Sequence, residues 1–521
     1  MTTRIGPAAL KGWIADGGEL AILDAREEGI FGASHLFWAV PCPLSQAEWR
    51  APALLPDLST RIVVCDGGEG EAERLVALLE AMGATNIALL AGGTPAWAAA
   101  GYEVFSGVNV PSKAFGEWVE HHDGTPHVAP ETLAEMKADG APLVILDSRP
   151  FDEFFAMSIP GGINVPGGEL VYRLPALNIP PGATIVVNCA GRTRSILGAE
   201  SLRQAGVPNP VVALRDGTMG WELAGYFSDH GRTERFPPGK PPQVAETLAA
   251  ASAFAAREGV RIGGAADLAR LHTGSTYLLD VREPAEFAAG HLPGSRSAPG
   301  GQLVQATDRW VAVRHARILL VDDDGVRARM TAAWLRRLGG WEVWVLDGAL
   351  ASAPLVTGAE PIGAPLQPTI SPEDFRALHA AGAVLTVQLT RSLAFRAGAI
   401  PGAVWGLRGR LDRIRAKHAA SLLPELVVVG DPDATAHLAV PELAALFPGM
   451  RVRVLPGGPA AAGLPLVADR QNPADADCAD AYLRPYDRNA GQEDAMRAYL
   501  GWEVDLPAQV ARDGDAPFGA W

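Results

Sequence analysis

The sequence predicts an α/β protein built from four related units, each a parallel β-sheet flanked by helices. The chain has 521 residues, which is enough for three to five domains. Short apolar runs at 143–146, 184–188 and 211–214 are typical of buried strands. Between the last two runs, apolar residues at 196, 197, 199 and 202 have helical spacing. Apolar strands that alternate with helices indicate a parallel sheet covered on both faces.

An internal repeat supports the division into units. The segment 145–154 matches 278–287, and 166–171 matches 299–304, each at an offset of 133 positions. Chance does not hold one register over so many positions, so these segments are two copies of one unit.

Weaker copies flank these two. Residues 23–26 repeat an Asp-x-Arg pattern near the N-terminus, and Gln388 takes the place of that Asp in a last copy. We expect one unit, the second, to be catalytic, while the first and third are inactive and the fourth is degenerate. The predicted units are 1–108, 112–235, 245–356 and 366–470, followed by a C-terminal tail of 471–521.

The tail contains a predicted amphipathic segment near 495–506. Two of its stretches are candidates to plug a groove between units. They are Trp502-Glu503-Val504 and Phe518-Gly519-Ala520-Trp521.

The composition argues against several functions. Lys and Arg number 44 and Asp and Glu 59, so the net charge is −15. Such an acidic chain is a poor candidate for binding nucleic acid or an anionic membrane through its whole surface. Four cysteines, at 42, 65, 189 and 478, are too few for a disulfide scaffold and show no zinc-site spacing. The sequence shows no signal peptide and no run of about 18 uncharged apolar residues, so we expect a cytoplasmic protein.

One position separates the second unit from the others. Just after the central strand, the second unit has Cys189, and the other three have Asp66, Asp322 and Asp431. In a parallel sheet this position lies at the carboxyl end of the strand and before a helix N-terminus, where ligands bind. Backbone amides and the helix dipole favour an anion there, and they favour loss of the proton from a thiol.

The segment after Cys189 adds positive charge. Arg192 and Arg194 follow it, and residues 189–194, the Cys189 loop, contain no acid. A thiolate held by amides and guanidinium groups can attack the sulfane sulfur of an anionic donor, and the same groups stabilise the persulfide that results. An Asp at this position has no comparable nucleophilicity towards sulfur and repels an anionic donor.

Together these patterns resemble the rhodanese superfamily of sulfurtransferases, in a form with four tandem rhodanese-like units. The resemblance rests on Asp147-x-Arg149, Glu153-Phe154, Ile159-Pro160-Gly161, the Cys-x4-Arg loop at 189–194 and Asp216-Gly217…Trp221. It implies that Cys189 is the nucleophile that forms a persulfide and that no metal or organic cofactor is needed. It further implies that the donor is bound by Ala190, Gly191, Arg192, Thr193 and Arg194.

The role of Arg149 stays open at this point. In some members of the family the arginine of the Asp-x-Arg pattern reaches substrate, and in others it pairs with a nearby acid, for which Glu153 is the candidate here.

Other residues have open roles too. Tyr172 and Arg173 are candidates to border the pocket, Asp322-Asp323-Asp324 is either a solvated acidic loop or a cation site, and Cys65 is either a core residue or a resolving thiol.

The length of the Cys189 loop favours sulfur transfer. Related phosphatases and arsenate reductases have one more residue between Cys and Arg, which suits a larger oxyanion. We therefore expect a transferase that moves sulfur from thiosulfate, or a similar small anionic donor such as 3-mercaptopyruvate, to cyanide, a thiol or a protein thiol. The alternative is an array that serves as an interaction platform, with Cys189 as a persulfide relay or redox sensor.

Overall fold

The computed structural model describes residues 2–358, 363–418 and 423–519. The first sheet has the strand order β1-β5-β4-β2, with β3 pairing alongside β2. All these pairings are parallel, and the buried strands β2 and β4 lie at its centre. Its strands are β1 (Thr3–Ile5), β2 (Leu20–Asp24), β3 (Ala39–Pro41), β4 (Ile62–Cys65) and β5 (Ile87–Leu90). Its helices are α1 (Pro7–Ala15), α2 (Glu28–Phe31), α3 (Ala47–Leu54), α4 (Glu71–Ala81) and α5 (Gly93–Ala99).

The second sheet has the parallel order β6-β10-β9-β7-β8. A connecting helix, α6 (Val110–Asp123), precedes it. The strands are β6 (His127–Val128), β7 (Leu143–Asp147), β8 (Gly162–Asn164), β9 (Thr184–Asn188) and β10 (Val211–Leu214). The helices are α7 (Pro130–Ala138), α8 (Phe151–Ala156), α9 (Leu170–Arg173), α10 (Thr193–Gln204) and α11 (Gly217–Leu223). The strands and the helix predicted for this part of the chain are therefore confirmed.

The third sheet repeats this order as β11-β16-β15-β12-β13. Helix α12 (Val244–Arg257) leads into it. The strands are β11 (Arg261–Gly264), β12 (Thr276–Asp280), β13 (Arg296–Ser297), β14 (Val313–Arg314), β15 (Arg317–Val321) and β16 (Glu342–Asp347). The helices are α13 (Leu268–Leu271), α14 (Pro284–Ala289), α15 (Gly300–Gln305), α16 (Val326–Leu338) and α17 (Ala349–Ser352). Strand β14 leaves this sheet and pairs antiparallel with β2 of the first sheet.

The fourth sheet is smaller, with the order β18-β17-β19-β20. Its strands are β17 (Val384–Leu389), β18 (Val404–Trp405), β19 (Glu425–Gly430) and β20 (Arg451–Val454). Its helices are α18 (Pro372–Ala380), α19 (Ser392–Ala397), α20 (Asp412–His418) and α21 (Asp433–Leu446). The tail ends in a long helix, α22 (Gln492–Asp513), which contains the predicted amphipathic segment. Within the ranges given above, no helix combines the length and apolar composition needed to cross a membrane.

The second and third units meet at equivalent positions of the repeat. A Cβ on Gly168 would lie 2.6 Å from the Gly301 nitrogen, and a Cβ on Gly301 would lie 2.6 Å from the Gly168 nitrogen. This reciprocal contact indicates a local twofold relation, and it requires glycine on both sides because any side chain would collide with backbone.

Part of the core is continuous through the first three units, while the second and third units each keep a separate smaller cluster. One apolar cluster runs from Ile5 to Val345 and includes Leu506 and Val510 of α22. The fourth sheet has its own apolar clusters. It contacts the first unit through Arg408, whose guanidinium donates to both carboxylate oxygens of Glu48 at 2.5 Å.

Candidate active site

Cys189 lies between a buried central strand and a helix. Strand β9 pairs with β7 so that Asn188 stands opposite Asp147, and Cys189 follows at the carboxyl end of both strands. Helix α10 begins four residues later, at Thr193. The Cys189 side chain is only 2% exposed, and its Sγ lies 3.5 Å from Oγ of Ser195.

The backbone of the Cys189 loop is anchored through its carbonyls. The Cys189 carbonyl accepts hydrogen bonds from Thr218 N and Oγ1 at 2.8 and 3.0 Å, and the Ala190 carbonyl accepts one from Met219 N at 3.0 Å. In the described part of the chain, the amides of residues 190–194 donate to no protein acceptor. These donors are therefore left for an anion that lies at the loop.

The equivalent loops without cysteine use their amides differently. The Asp322 carboxylate accepts hydrogen bonds from the amides of Gly325, Arg327 and Ala328 at 2.7, 2.9 and 3.2 Å. Asp66 accepts from the amides of residues 68, 70 and 72 at 2.9–3.0 Å. In both loops the aspartate itself is the anion that satisfies the amides. Only the loop with cysteine, among these three, leaves the amides unpaired.

Arg192 is surrounded by carboxylates from other elements. Its guanidinium donates to both oxygens of Glu117 at 2.8 Å, to Glu120, and to Asp216 at 3.1 Å. Glu117 and Glu120 belong to α6, outside the loop. The positive charge expected from this guanidinium is therefore compensated, because three acids that lie outside the loop surround it.

Arg194 is also paired with an acid. Its guanidinium donates to the two carboxylate oxygens of Glu153, in α8, at 3.0 and 2.7 Å. Burial alone would raise the pKa of Glu153, but the charge and hydrogen bonds of Arg194 outweigh this effect and lower it from 4.5 to about 2.

This pair gives the protein a pH-dependent stability. A carboxyl whose pKa is lower in the folded than in the unfolded state stabilises the fold above the unfolded pKa, and this contribution is lost as the pH falls through the folded pKa. We therefore expect a Glu153→Gln variant to melt below the wild type at neutral pH. The gap in Tm should narrow as the pH falls from 4.5 towards 2. Asp152→Asn, which changes an exposed carboxyl on the same helix, is the control. A gap that stays constant over this pH range contradicts the assignment.

Arg149 lies in a buried local pair. Its guanidinium donates to Asp147 at 2.9 and 2.7 Å and to the carbonyl of Met157 at 2.5 Å, and the residue is 2% exposed. The expected partner Glu153 is thus replaced by Asp147. The same arrangement joins Arg26 to Asp24 and Arg282 to Asp280. Since the first and third units, which lack the cysteine, keep this pair, it stabilises the turn after the first central strand in each of these three units.

The other candidate residues form contacts within and between units. The Tyr172 hydroxyl donates to Asp324 at 2.6 Å, so it reaches the third unit's loop. Asp323 pairs with Arg282 at 2.9 Å, and Asp324 also pairs with Lys240 at 2.5 Å. The carboxylates of residues 322–324 are thus paired with protein donors. Arg173 pairs with Glu169 at 2.7 Å.

Cys65 is fully buried at the end of β4, with its Sγ 3.8 Å from a carboxylate oxygen of Asp24. Burial, reinforced by that neighbouring carboxylate, raises the pKa of the Cys65 thiol well above its ordinary value. Such a thiol stays protonated and unreactive.

The tail covers the Cys189 loop, which the sequence did not reveal. Glu503 is fully buried, and its Oε1 accepts a hydrogen bond from Oγ1 of Thr193 at 3.3 Å. The sequence predicted that residues 502–504 fill a groove between units, but it did not indicate that they lie against the Cys189 loop. Phe518 packs against Phe115 with ring centroids 5.5 Å apart, whereas Ala520 and Trp521 lie outside the described residues.

Comparison with known proteins agrees with this geometry. The sequence model of the rhodanese-like domain matches residues 6–100, 129–224 and 265–352, and the second of these segments contains Cys189. The chain is similar to the crystal structure of thiosulfate sulfurtransferase from Pseudomonas aeruginosa, with 43% identity, 99% coverage of each chain and a TM-score of 0.91.

Two curated proteins are similar over shorter stretches. The HTH-type transcriptional regulator Rv0324 of Mycobacterium tuberculosis is 34% identical over 103 residues, which are 19% of this chain and 44% of that protein. The uncharacterized protein YqhL of Bacillus subtilis is 38% identical over 72 residues, which are 14% of this chain and 55% of that protein. The chain thus spans about half the length of each of these two proteins.

Proposed function

Because the chain belongs to the rhodanese family, we propose that it is a sulfurtransferase that moves sulfane sulfur from thiosulfate or a similar donor to cyanide or a thiol. The observation that carries the proposal is the Cys189 loop. It has a cysteine where the first and third units have an aspartate, and its amides are unpaired. The family relation and the name of the Pseudomonas aeruginosa structure support the same activity.

The reaction has two displacement steps. The Cys189 thiolate attacks the sulfane sulfur of the donor, the sulfur–sulfur bond of thiosulfate breaks, and sulfite leaves with the bonding electron pair. Cyanide or an acceptor thiolate then attacks the outer sulfur of the persulfide. The persulfide bond breaks, the Cys189 thiolate is restored, and thiocyanate or a new persulfide leaves. The electrons balance without an external oxidant.

In this mechanism the loop amides provide most of the electrostatic stabilisation of the negative charge on the donor and on the persulfide. Amides of residues 190–194 donate to the developing charge on the outer sulfur and on the bound donor. The guanidinium groups of Arg192 and Arg194 are held by acids, so these residues act at the donor through their amides. Arg149 positions the turn beside β7 through Asp147.

The other parts of the chain frame this centre. We assign catalysis to the second unit, 112–235, and a structural, scaffolding role to the other units. The substrates are a small anionic donor, with 3-mercaptopyruvate as the alternative to thiosulfate, and a cyanide or thiol acceptor, with a protein thiol as a further option. A cytoplasmic setting fits the four cysteines, which are all free.

Intact mass spectrometry of the reduced full chain after thiosulfate treatment tests the proposal. The wild type should gain one sulfur atom, and cyanide should remove it as thiocyanate. Cys189→Ser should gain none, and Cys65→Ala, the control at the equivalent strand end of the first unit, should gain as much as the wild type. Equal gain by Cys189→Ser, or no gain by the wild type with either thiosulfate or 3-mercaptopyruvate, contradicts the proposal.

A persulfide relay or interaction platform is the alternative function. It predicts a single sulfur loading without steady turnover when a small donor and cyanide are both in excess. Continuous thiocyanate production by the wild type, and none by Cys189→Ser, separates the enzyme from the platform.

A further inference from the structure

Five residues of the tail lie over the Cys189 loop, and we refer to them as the cover. They are Tyr486, Met496, Tyr499, Leu500 and Glu503. Met496 and Leu500 are buried together with Met219, in a cluster that also packs against Ala190. The cover therefore contacts the loop directly after the nucleophile.

The centre of the loop is equally close to the cover. A Cβ added to Gly191 would lie 3.0 Å from Oε2 of Glu503, 3.3 Å from Cε1 of Tyr499 and 3.8 Å from Cδ2 of Leu500. Even a single methyl group added at Gly191 would pack tightly against the cover. Cys189 itself is 2% exposed, and the cover packs against the two residues that follow it, so the cover forms one wall of the approach to Sγ.

A buried ion pair fixes the cover to the second unit. Glu503 pairs with Lys113 of α6 at 2.7 Å, and neither side chain is more than 11% exposed. The Tyr499 hydroxyl donates to Glu503 at 3.2 Å. The ion pair and this hydrogen bond fix the position of α22 relative to the Cys189 loop.

The chain on both sides of the cover is anchored to other units. Before it, the Gly29 amide donates to the carbonyl of Ala479 at 2.9 Å, and the Ser392 amide donates to Asp480 at 2.8 Å. After it, Lys11 pairs with Asp513 at 3.2 Å. The cover is thus held in place at both ends and forms a fixed wall of the site.

We infer that the cover is the size filter of the sulfur-transfer site, with Leu500 and Met496 as the residues that determine which donors and acceptors reach Cys189. The inference rests on the proposed function. The substrates it favours are inorganic or short-chain sulfur compounds, and those it disfavours are donors with a bulky organic group and thiols on protein surfaces.

The test compares two donors that transfer the same sulfur atom. In benzenethiosulfonate, attack by Cys189 expels benzenesulfinate with the bonding electron pair, as attack on thiosulfate expels sulfite. In Leu500→Ala and Met496→Ala, the ratio of kcat/KM for benzenethiosulfonate to that for thiosulfate should rise by about tenfold or more over the wild type. A loss caused only by weakened folding lowers both values together and leaves the ratio unchanged.

Val504→Ala is the matched control, because Val504 lies on the same helix and is 49% exposed. It should keep the wild-type ratio, as should the conservative variant Leu500→Met. A ratio that is the same in the wild type and in both cover variants overturns the inference. A wild type without turnover of either donor overturns the proposed function instead.

A second measurement needs no sulfur donor. Alkylation of Cys189 by iodoacetamide and by the larger N-phenylmaleimide, followed by mass spectrometry of the Cys189 peptide, reports access alone. Leu500→Ala should accelerate the larger reagent about tenfold more than the smaller one. Equal acceleration of both reagents, or none, counts against the size filter.

Discussion

The Cys189→Asp variant is expected to lose sulfur transfer by about a thousandfold or more, and yet to melt no lower than the wild type. The first and third units show why. There the equivalent aspartates, Asp66 and Asp322, each accept three hydrogen bonds from loop amides. A carboxylate at 189 meets amides that are otherwise unpaired, so the loop gains an internal anion as it loses its nucleophile.

Thiocyanate production and thermal melting, measured on the same preparations, check this expectation. Cys189→Leu is the comparison, since it also lacks the thiol but offers no acceptor to the amides. We expect it to be as inactive as Cys189→Asp and to melt lower. If Cys189→Asp lowers Tm as much as Cys189→Leu does, the amides of residues 190–194 are not arranged for an anion.

The Lys113→Met variant is expected to lower the free energy of unfolding by about 3–5 kcal/mol. Burial alone would lower the pKa of Lys113, but Glu503 and Tyr499 raise it above its ordinary value, so the ammonium group stays charged. Its removal leaves the Glu503 carboxylate fully buried without its counter-charge. An uncompensated buried charge is far more costly than the loss of an exposed ion pair.

Chemical denaturation of three variants measures this difference. Arg4→Met breaks the pair with Glu73, whose two side chains are 58% and 49% exposed, and should cost about 1 kcal/mol or less. The double variant Lys113→Met with Glu503→Gln removes both charges but keeps an acceptor for Thr193 and Tyr499. It should regain most of the lost stability. A double variant as unstable as Lys113→Met speaks against an unpaired charge as the cause.

The parts of the site that lie within one repeat were predictable from the sequence. Cys189 aligns with Asp66 and Asp322, and all three follow the central strand of their unit. Because the strands are parallel, their carboxyl ends meet at one edge of each sheet, where a ligand site was expected. The Asp147-x-Arg149 pattern was visible as a repeated motif, although Glu153 was the acid expected to pair with Arg149. Arg149 pairs with Asp147, two residues before it, and not with Glu153, four residues after it, because the turn folds the arginine side chain back onto the strand.

Contacts between units were not predictable in the same way. Glu117 and Glu503 are far from Arg192 and Thr193 in the sequence, and they meet them only because α6 and α22 pack together against the loop. Helix α22 has no second copy in the chain, and α12, which takes the place of α6 in the third unit, has Ala251 and Phe254 where α6 has Glu117 and Glu120. Amphipathic spacing predicted α22 but gave no information about which surface it covers.

The pairing of β14 with β2 has a consequence for the order in which the chain folds during synthesis. Val313 and Arg314 complete one edge of the first sheet, opposite Ala21 and Leu20. The ribosome therefore makes nearly three hundred further residues after β2 before this edge can be closed. An open strand edge invites pairing with other chains. The nascent first unit must consequently be shielded, or stay incompletely packed, until much of the third has emerged, and an excised first unit is expected to aggregate.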